Sequence, residues 1–272
     1  MENTEQTQEQ LSALLQVRRD KLTELQNVIG FNDIFKELSL LKLCVYAPLS
    51  YILPSRISYY EELYDTEVKG GKGKFRQADR EKSLQSLMTT NLLKRLESSV
   101  HSFRLTLERL KENNQLILKK IKQFEENKIA FRFSDFTNVN EDTLDDEDLS
   151  NLDDLTVGNK VQIDLADMDL SSWKYDISGD LEVINALLFE MRKITPEYDF
   201  KFQHLKAHIK NKMNNPINEN NKKVLIFTAF ADTAKYLYDN LSILYKSEHN
   251  INTGLITGSQ TPKSTVKGNY DL

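Results

Sequence analysis

The segment 84–124, LQSLMTTNLLKRLESSVHSFRLTLERLKENNQLILKKIKQF, decides most of the fold. Large apolar residues recur along it at steps of three, four or seven: Leu84, Met88, Leu92, Leu96, Val100, Phe103, Leu107, Leu110, Ile117, Ile121 and Phe124. That period is typical of one face of an α-helix, and the wider run 77–127 contains neither proline nor glycine. We expect one helix there, on the order of 60–70 Å long at about 1.5 Å per residue. Because a small globule cannot cover such a helix, we expect it to bridge two bodies, pair with another helix or protrude.

Length and composition bound the class of protein. The chain has 272 residues, 39% hydrophobic and 28% charged, which suits about two domains. No apolar run approaches the ~18 residues of a transmembrane helix, and the polar, acidic start MENTEQTQEQ is unlike a signal peptide. The single cysteine, Cys44, excludes a disulfide framework and a cysteine-based zinc site. We therefore expect a cytoplasmic, helix-rich chain with no membrane partner.

The net charge of −5 is distributed very unevenly along the chain. Residues 69–128 hold 15 basic and 7 acidic side chains, a balance of +8, whereas residues 135–182 hold 2 basic and 15 acidic ones, a balance of −13. Such asymmetry is typical of an element that faces a polyanion beside an acidic one. The alternative is that the two are solvated surfaces of opposite sign that pair with each other. The candidate nucleic-acid contacts are the cations in and next to the loop KGGKGKF at 69–75: Lys69, Lys72, Lys74 and Arg76.

The second half of the chain changes character. Amphipathic helices are predicted over about 180–194 and 199–213, and VLIFT at 224–228 is an apolar, β-branched run typical of a strand buried on both faces. A helix over 232–246 and a second short strand at 253–257 would complete a βαβ unit. The predicted fold class is mainly α with a small α/β part. Its predicted parts are a helical region 1–134, an acidic insertion or loop 135–182, linker helices 183–216 and an incomplete α/β unit 217–272.

Two sets of motifs carry a family resemblance. The segment Lys223–Tyr238 (KVLIFTAFADTAKYLY), with GLITGSQ at 254–260, resembles the start of the second RecA-like domain in Swi/Snf-like superfamily-2 helicases. The stretch Asn91–Ser99 (NLLKRLESS) and YDFKFQHLKAHI at 198–209 resemble the linker that bacterial DNA translocases of this group place between their two motor domains. Ala229 stands where the family often has Gln or Ser. The resemblance implies a fragment with the helical linker and an incomplete RecA-like unit.

The resemblance also implies a function for the parent protein. In the intact family, ATP bound with Mg²⁺ between two RecA-like domains drives movement along duplex DNA, so the implied partners are DNA and the rest of the motor domains. Thr228 and Phe230 after the first strand, and Gly258 and Ser259 after the second, would lie toward the nucleic-acid track. No G-x-x-x-x-G-K-[ST] loop is present in this sequence; the nearest match, GGKGKF at 70–75, has Phe75 after its last lysine. We expect no ATPase, cofactor or catalytic residue in this chain alone, and its own status as an enzyme stays open.

The rival interpretation is a non-enzymatic helical interaction or scaffold module with a small α/β cap. Two further candidate sites favour structural roles: His204 and His208 stand four apart with no third metal ligand suggested, and Cys44 has no residue placed to activate it. The α/β unit itself has one helix to cover one face of its sheet. We therefore expect Leu225, Phe227 and Leu255 to be exposed unless this unit docks on the helical body or associates with a second copy.

Overall fold

The computed structural model describes residues 21–67, 74–127, 163–216, 221–258 and 261–266. The helices in these ranges are α1 (Phe31–Leu38), α2 (Ile57–Tyr64), α3 (Gln77–Ser98), α4 (Val100–Asn127), α5 (Leu170–Met191), α6 (Phe200–Asn214) and α7 (Ala231–His249). Two short antiparallel ladders join β1 (Thr66–Glu67) to β2 (Lys74–Phe75) and β3 (Gly254–Leu255) to β4 (Lys263–Ser264). The prediction of a mainly α-helical chain is confirmed. None of the helices described here has the length and apolar character needed to cross a bilayer.

The chain forms two compact units that do not follow consecutive stretches of sequence. The first is drawn from Met1–Ile34, Lys94–Leu105 and Phe189–Leu272, as far as these are described, and the second from Phe35–Leu93 and Thr106–Leu188. The predicted division into consecutive regions therefore differs from the units that the structure forms.

The core of the second unit surrounds Trp173 in α5, whose side chain is fully buried. Ile117 and Ile121 of α4 and Ile177 of α5 belong to the same cluster, and the Trp173 Nε1–H donates to the Cys44 carbonyl over 3.3 Å. Beside this core, Leu53 N donates to Asp167 O over 2.8 Å and Asp169 N donates to Tyr51 O over 2.7 Å. This pairing fixes the chain directly ahead of α5.

The prediction of a loop through residue 182 is wrong from residue 170 onward, while residues 135–162 lie outside the described ranges. Asp169 ends the preceding turn, and its Oδ1 accepts a hydrogen bond from Ser172 N over 3.1 Å. An aspartate at this position caps a helix because it satisfies an amide that has no partner within the helix. Asp169 therefore caps this helix, and Asp180 is buried on the same face as Trp173 and Ile177 instead of lying in a solvated loop.

The core of the first unit forms where α6 packs on α7. Phe202 and Ile209 of α6 lie against Tyr236, Leu241 and Tyr245 of α7. The helices predicted over 199–213 and 232–246 are confirmed, since α6 and α7 contain them to within one residue at each start.

The strand predicted at 224–228 is absent from the structure, where these residues carry no ladder. The strand predicted at 253–257 is reduced to Gly254–Leu255, and it pairs antiparallel with Lys263–Ser264. A strand exists through hydrogen bonds to a neighbour, and the described part of the chain supplies none for 224–228. Leu225 and Phe227 are 85% and 90% exposed, whereas Leu255 is buried.

The helix predicted over 77–127 is also wrong in one respect, because the structure divides it into α3 and α4 at Ser99. The side chains around this break form the candidate site described below.

A buried carboxylate adds a pH-dependent contribution to the second unit. Glu81 of α3 is buried, and its Oε2 accepts a hydrogen bond from Leu49 N over 3.0 Å. Burial raises the pKa of the Glu81 carboxyl well above its usual value, and the hydrogen bond from Leu49 opposes this only in part. Folding therefore favours the protonated form of Glu81.

We expect Trp173→Ala to lower the free energy of unfolding by about 3–5 kcal/mol, because it removes a large side chain from the centre of a core. Tyr175→Ala, two residues along the same helix, is the matched control, since Tyr175 is 79% exposed and its loss should cost less than about 0.5 kcal/mol. Urea denaturation measures both. Equal effects of the two substitutions would contradict the position of α5.

We expect the free energy of unfolding of the wild-type chain to fall as the pH rises, and we expect Glu81→Gln to abolish this fall. The raised folded-state pKa means that the folded chain binds more protons than the unfolded chain between about pH 4.3 and that raised pKa. Stability therefore falls as pH rises through this window, by about 1.4 kcal/mol for each unit between the two pKa values. Urea denaturation at pH 5 and pH 7 compares wild type with Glu81→Gln, and Glu97→Gln, at an exposed position of α3, controls for loss of a charge. A pH dependence that Glu81→Gln leaves unchanged would refute this assignment.

Candidate functional site

The break between α3 and α4 is a capped helix start. Ser99 N donates to Arg95 O over 2.9 Å, which closes the last turn of α3. Ser99 Oγ accepts a hydrogen bond from Ser102 N over 3.0 Å, and the Lys201 ammonium donates to the carbonyl of Glu97. A serine in this role begins a new helix, so Ser99 both ends α3 and starts α4.

The hydroxyl groups at this break contact the start of α7. Thr233, in the first turn of α7, is buried, and its Oγ1 lies 2.8 Å from the Oγ atoms of both Ser98 and Ser99. Either hydroxyl can supply the proton in each of these two contacts. The side chains of two sequence-distant helix starts therefore share one hydrogen-bond network.

A buried guanidinium holds the two helix starts together. Only 2% of the Arg95 side chain is exposed, and its Nη1 donates to Asp232 Oδ2 over 2.9 Å and to Ser102 Oγ over 3.2 Å. Asp232 lies in the first turn of α7, where the helix dipole favours a negative charge. A buried cation is tolerated when it is paired and hydrogen-bonded, and Arg95 meets both conditions.

Arg95 also contacts the turn that precedes α7. The carbon of its guanidinium lies 4.5 Å from the centre of the Phe230 ring, and Phe230 is buried. This is a cation–π geometry. Phe230 is the N-cap of α7, and its ring, which has no atom that could accept a helix amide, packs under the guanidinium.

A second polar contact joins α6 to α7. Asp199 caps α6, since its Oδ1 accepts from Phe202 N over 3.0 Å, and its Oδ2 accepts from the Tyr236 hydroxyl over 3.0 Å. Burial raises the pKa of the Asp199 carboxyl, and burial together with the nearby Asp199 charge raises the pKa of the Tyr236 hydroxyl. The His101 ring of α4 stacks on Tyr236 with centroids 4.8 Å apart. This contact links α4, α6 and α7 in the same unit.

The structure brings together two of the predicted site residues. Thr228 Oγ1 donates to Phe230 O over 2.9 Å, which closes the turn before α7. Gly258 is exposed, and open space surrounds the position that a Cβ would take there. Arg76 is exposed, and its carbonyl accepts Asp79 N and Arg80 N at the start of α3. The backbone of Lys74 lies in β2, whereas Lys69, Lys72 and Ser259 lie outside the described residues.

Sequence reasoning missed the network around Arg95. Arg95 adjoins Leu96 and lies three residues after Leu92, both fully buried, so the position itself faces the core side of the helix. An arginine on an apolar face requires a buried acidic partner. That signal was available from the sequence, but the identity of the partner, Asp232, depends on a contact between residues 137 positions apart.

The cysteine in the second unit has a structural environment. Cys44 Sγ donates to Asp180 Oδ2 over 3.3 Å, and the same carboxylate accepts Lys42 N and Cys44 N. Burial, followed by the charge of Asp180, raises the pKa of the Cys44 thiol. A nucleophilic cysteine needs the opposite shift. In the parts of the chain that are described, no three potential metal ligands cluster.

Comparisons with protein-family models, with curated proteins and with solved structures found no match to this chain.

We expect the Arg95–Asp232 pair to show a large coupling energy in a double-mutant cycle. Asp232→Ala leaves a buried guanidinium without its carboxylate, which should cost about 3–5 kcal/mol. Arg95→Met combined with Asp232→Ala should cost less than the sum of the single changes, with a coupling of about 1–3 kcal/mol. Urea denaturation supplies the four free energies.

The matched control is the pair Lys235 and Asp239, which lies on α7 itself with both side chains about half exposed. Its coupling should be no more than about 0.5 kcal/mol. Additive effects of Arg95→Met and Asp232→Ala would contradict the role assigned to the buried pair.

Proposed function

We propose that this chain is part of a Swi/Snf-like superfamily-2 DNA translocase, to which it contributes the inter-motor helical element and the motif IV region of a RecA-like domain. The parent is then an ATP-dependent, cytoplasmic hydrolase that acts on DNA. This proposal assigns ATP and Mg²⁺ to the rest of the motor, and no residue of this chain is given a catalytic role.

The observation that carries the proposal is the meeting of the three segments on which the resemblance rests. Residues 91–99 lie about a hundred positions before 198–209, which precedes 223–238 by a short connection, and residues of all three segments take part in the contacts around α7. Arg95 and Ser99 come from the first segment, Asp199 from the second, and Asp232 from the third. Segments that work together in a motor are expected to pack together, and these three do so around α7.

The arrangement suits mechanical coupling. The residues that contact the start of α7 come from the end of α3 and the start of α4, and a buried ion pair with hydroxyl–hydroxyl bonds resists separation. We infer that displacement of this helix break moves the turn 228–232 with it. In the proposed motor, Thr228 in that turn, with Gly258 and Ser259, lies toward the nucleic-acid track, whereas the buried ring of Phe230 holds the turn against Arg95.

The exposed apolar segment 224–227 is also explained by this proposal. Leu225 and Phe227 are almost fully exposed, although VLIFT is typical of a strand buried on both faces. Burial of each such side chain is worth about 1.5–3 kcal/mol. In a RecA-like domain, neighbouring strands would supply that burial; otherwise, self-association of this chain is the expected outcome.

We expect the purified chain to bind duplex DNA weakly and without sequence preference. The predicted contacts Lys69, Lys72, Lys74 and Arg76 form the start of the basic run 69–128. Phosphate contacts of this kind give dissociation constants of roughly 10⁻⁴–10⁻⁶ M that weaken steeply with salt. Fluorescence anisotropy with two unrelated duplexes at low and high salt measures this, and changing all four residues to Glu should weaken the binding.

The control for that experiment is Lys235→Glu, which reverses a charge at a cation that is already paired with Asp239. DNA affinity that is absent at low salt, or equally reduced by the control, would contradict the proposed nucleic-acid partner. Measurable ATP turnover by the chain alone would contradict the assignment of catalysis to the rest of the motor.

A scaffold or interaction module is the second candidate, and one observation favours it. The segment 254–255 pairs antiparallel with 263–264 rather than parallel with 224–228, which departs from the order of strands in a RecA-like domain. The reading frame of the gene discriminates between the candidates. The motor requires a G-x-x-x-x-G-K-[ST] loop upstream and an arginine-containing motif downstream, and a scaffold module requires neither.

A further inference from the structure

Helix α6 carries a surface that is rich in lysine and histidine. Its fifteen residues, FKFQHLKAHIKNKMN, contain four lysines and two histidines and no acidic residue. The nearest carboxylate along the chain is Asp199, and it is buried and hydrogen-bonded to Phe202 N and the Tyr236 hydroxyl. Charge on α6 is therefore of one sign.

The periodicity of the helix gathers two of the lysines and both histidines into a stripe. Lys201, His204, His208 and Lys212 follow one another at steps of three, four and four residues, so they lie on one face. Phe202 and Ile209 lie on a different face, which packs against α7. At about 1.5 Å per residue the stripe is roughly 16 Å long.

Three aromatic rings lie along this stripe, and the two histidine rings are neighbours between the lysines. The His204 and His208 rings stack with centroids 5.2 Å apart, and Phe200 meets His204 edge-on at 5.3 Å. The Lys21 ammonium lies 4.9 Å from the centre of the Phe200 ring. His208 is exposed, while His204, Phe200 and Lys212 are half-buried. Rings with an open face are platforms on which bases can stack.

We propose that this stripe, Lys201–His204–His208–Lys212 with Phe200, binds a single nucleic-acid strand. Lys212 contacts a phosphate, Lys201 adds its charge while its ammonium donates to the Glu97 carbonyl, and the exposed ring of His208 receives a base. An acidic peptide would use the cations but gain nothing from the rings, whereas a nucleic-acid strand uses both. The inference deepens the proposed function and rests on its nucleic-acid partner, because it names a second contact surface, distinct from the basic loop at 69–76.

The helix supplies a matched pair of substitutions. Lys212 belongs to the stripe, whereas Lys210, two residues earlier, is exposed on the other flank. Lys212→Glu and Lys210→Glu change the net charge equally, so a difference between them reports position rather than charge. A second variant, His204→Ala with His208→Ala, removes the rings without changing a lysine, and circular dichroism confirms that each variant is folded.

The experiment is fluorescence anisotropy of the full chain with a labelled 20-nucleotide single strand over a range of salt concentrations. We expect Lys212→Glu to weaken binding about tenfold and to reduce the slope of log affinity against log salt by about 1. The double histidine variant should weaken binding by about fivefold or more, and Lys210→Glu by less than about twofold.

Three results would overturn the inference. Equal losses for Lys212→Glu and Lys210→Glu would show that only net charge matters. A second such result is a histidine variant that binds as wild type does while polyglutamate, at equal charge concentration, displaces the strand. That result would show that the surface binds any polyanion. In either case, duplex binding through residues 69–76 would still support the proposed function. A chain that binds neither duplex nor single strand would contradict both the proposed function and this inference.

Discussion

The first unit depends on the requirement that a buried guanidinium be paired. Arg95 is almost completely buried, and an unpaired charge there would cost several kcal/mol. Asp232 and Ser102 satisfy it, and the Phe230 ring covers it. Because Asp232 belongs to α7 and Ser102 to α4, satisfying this one charge fixes which two helix starts meet. The hydroxyl bonds of Thr233 then follow from the same alignment.

The second unit also contains a buried ionisable group, in this case an acidic one. Asp180 lies beside the Trp173 core, and burial raises the pKa of its carboxyl. Its oxygens accept hydrogen bonds from the amides of Lys42 and Cys44 and from the thiol of Cys44. The carboxyl therefore fixes the backbone at 42–44. Each unit thus has a buried ionisable group whose partners come from distant sequence. Such groups restrict the number of packings that satisfy them, which apolar contacts alone do not.

Periodicity located the helices well, because burial of one face imposes a period of 3.6 on any sequence. It failed at Ser99, since a serine cap changes hydrogen bonding without interrupting the apolar pattern of Leu96, Val100 and Phe103. Periodicity also failed to locate the helix at residues 170–182, because the acidic residues there suggested a loop although Trp173 and Ile177 have helical spacing. The strand at 224–228 could not be judged locally, because a strand depends on a partner that the sequence does not name. The Arg95–Asp232 contact has the same character, as its two residues are joined only in the folded chain.

Native-state hydrogen exchange tests most directly whether the Arg95–Asp232 pair holds the two helix starts as one element. The amides of Phe103 and Ala234 close the first turns of α4 and α7, donating to Ser99 O and Phe230 O over 3.1 Å each. If the pair joins these turns, both amides exchange through one opening with equal free energy, and Asp232→Asn lowers both by the same amount. Loss of protection at Ala234 with Phe103 unchanged would contradict it.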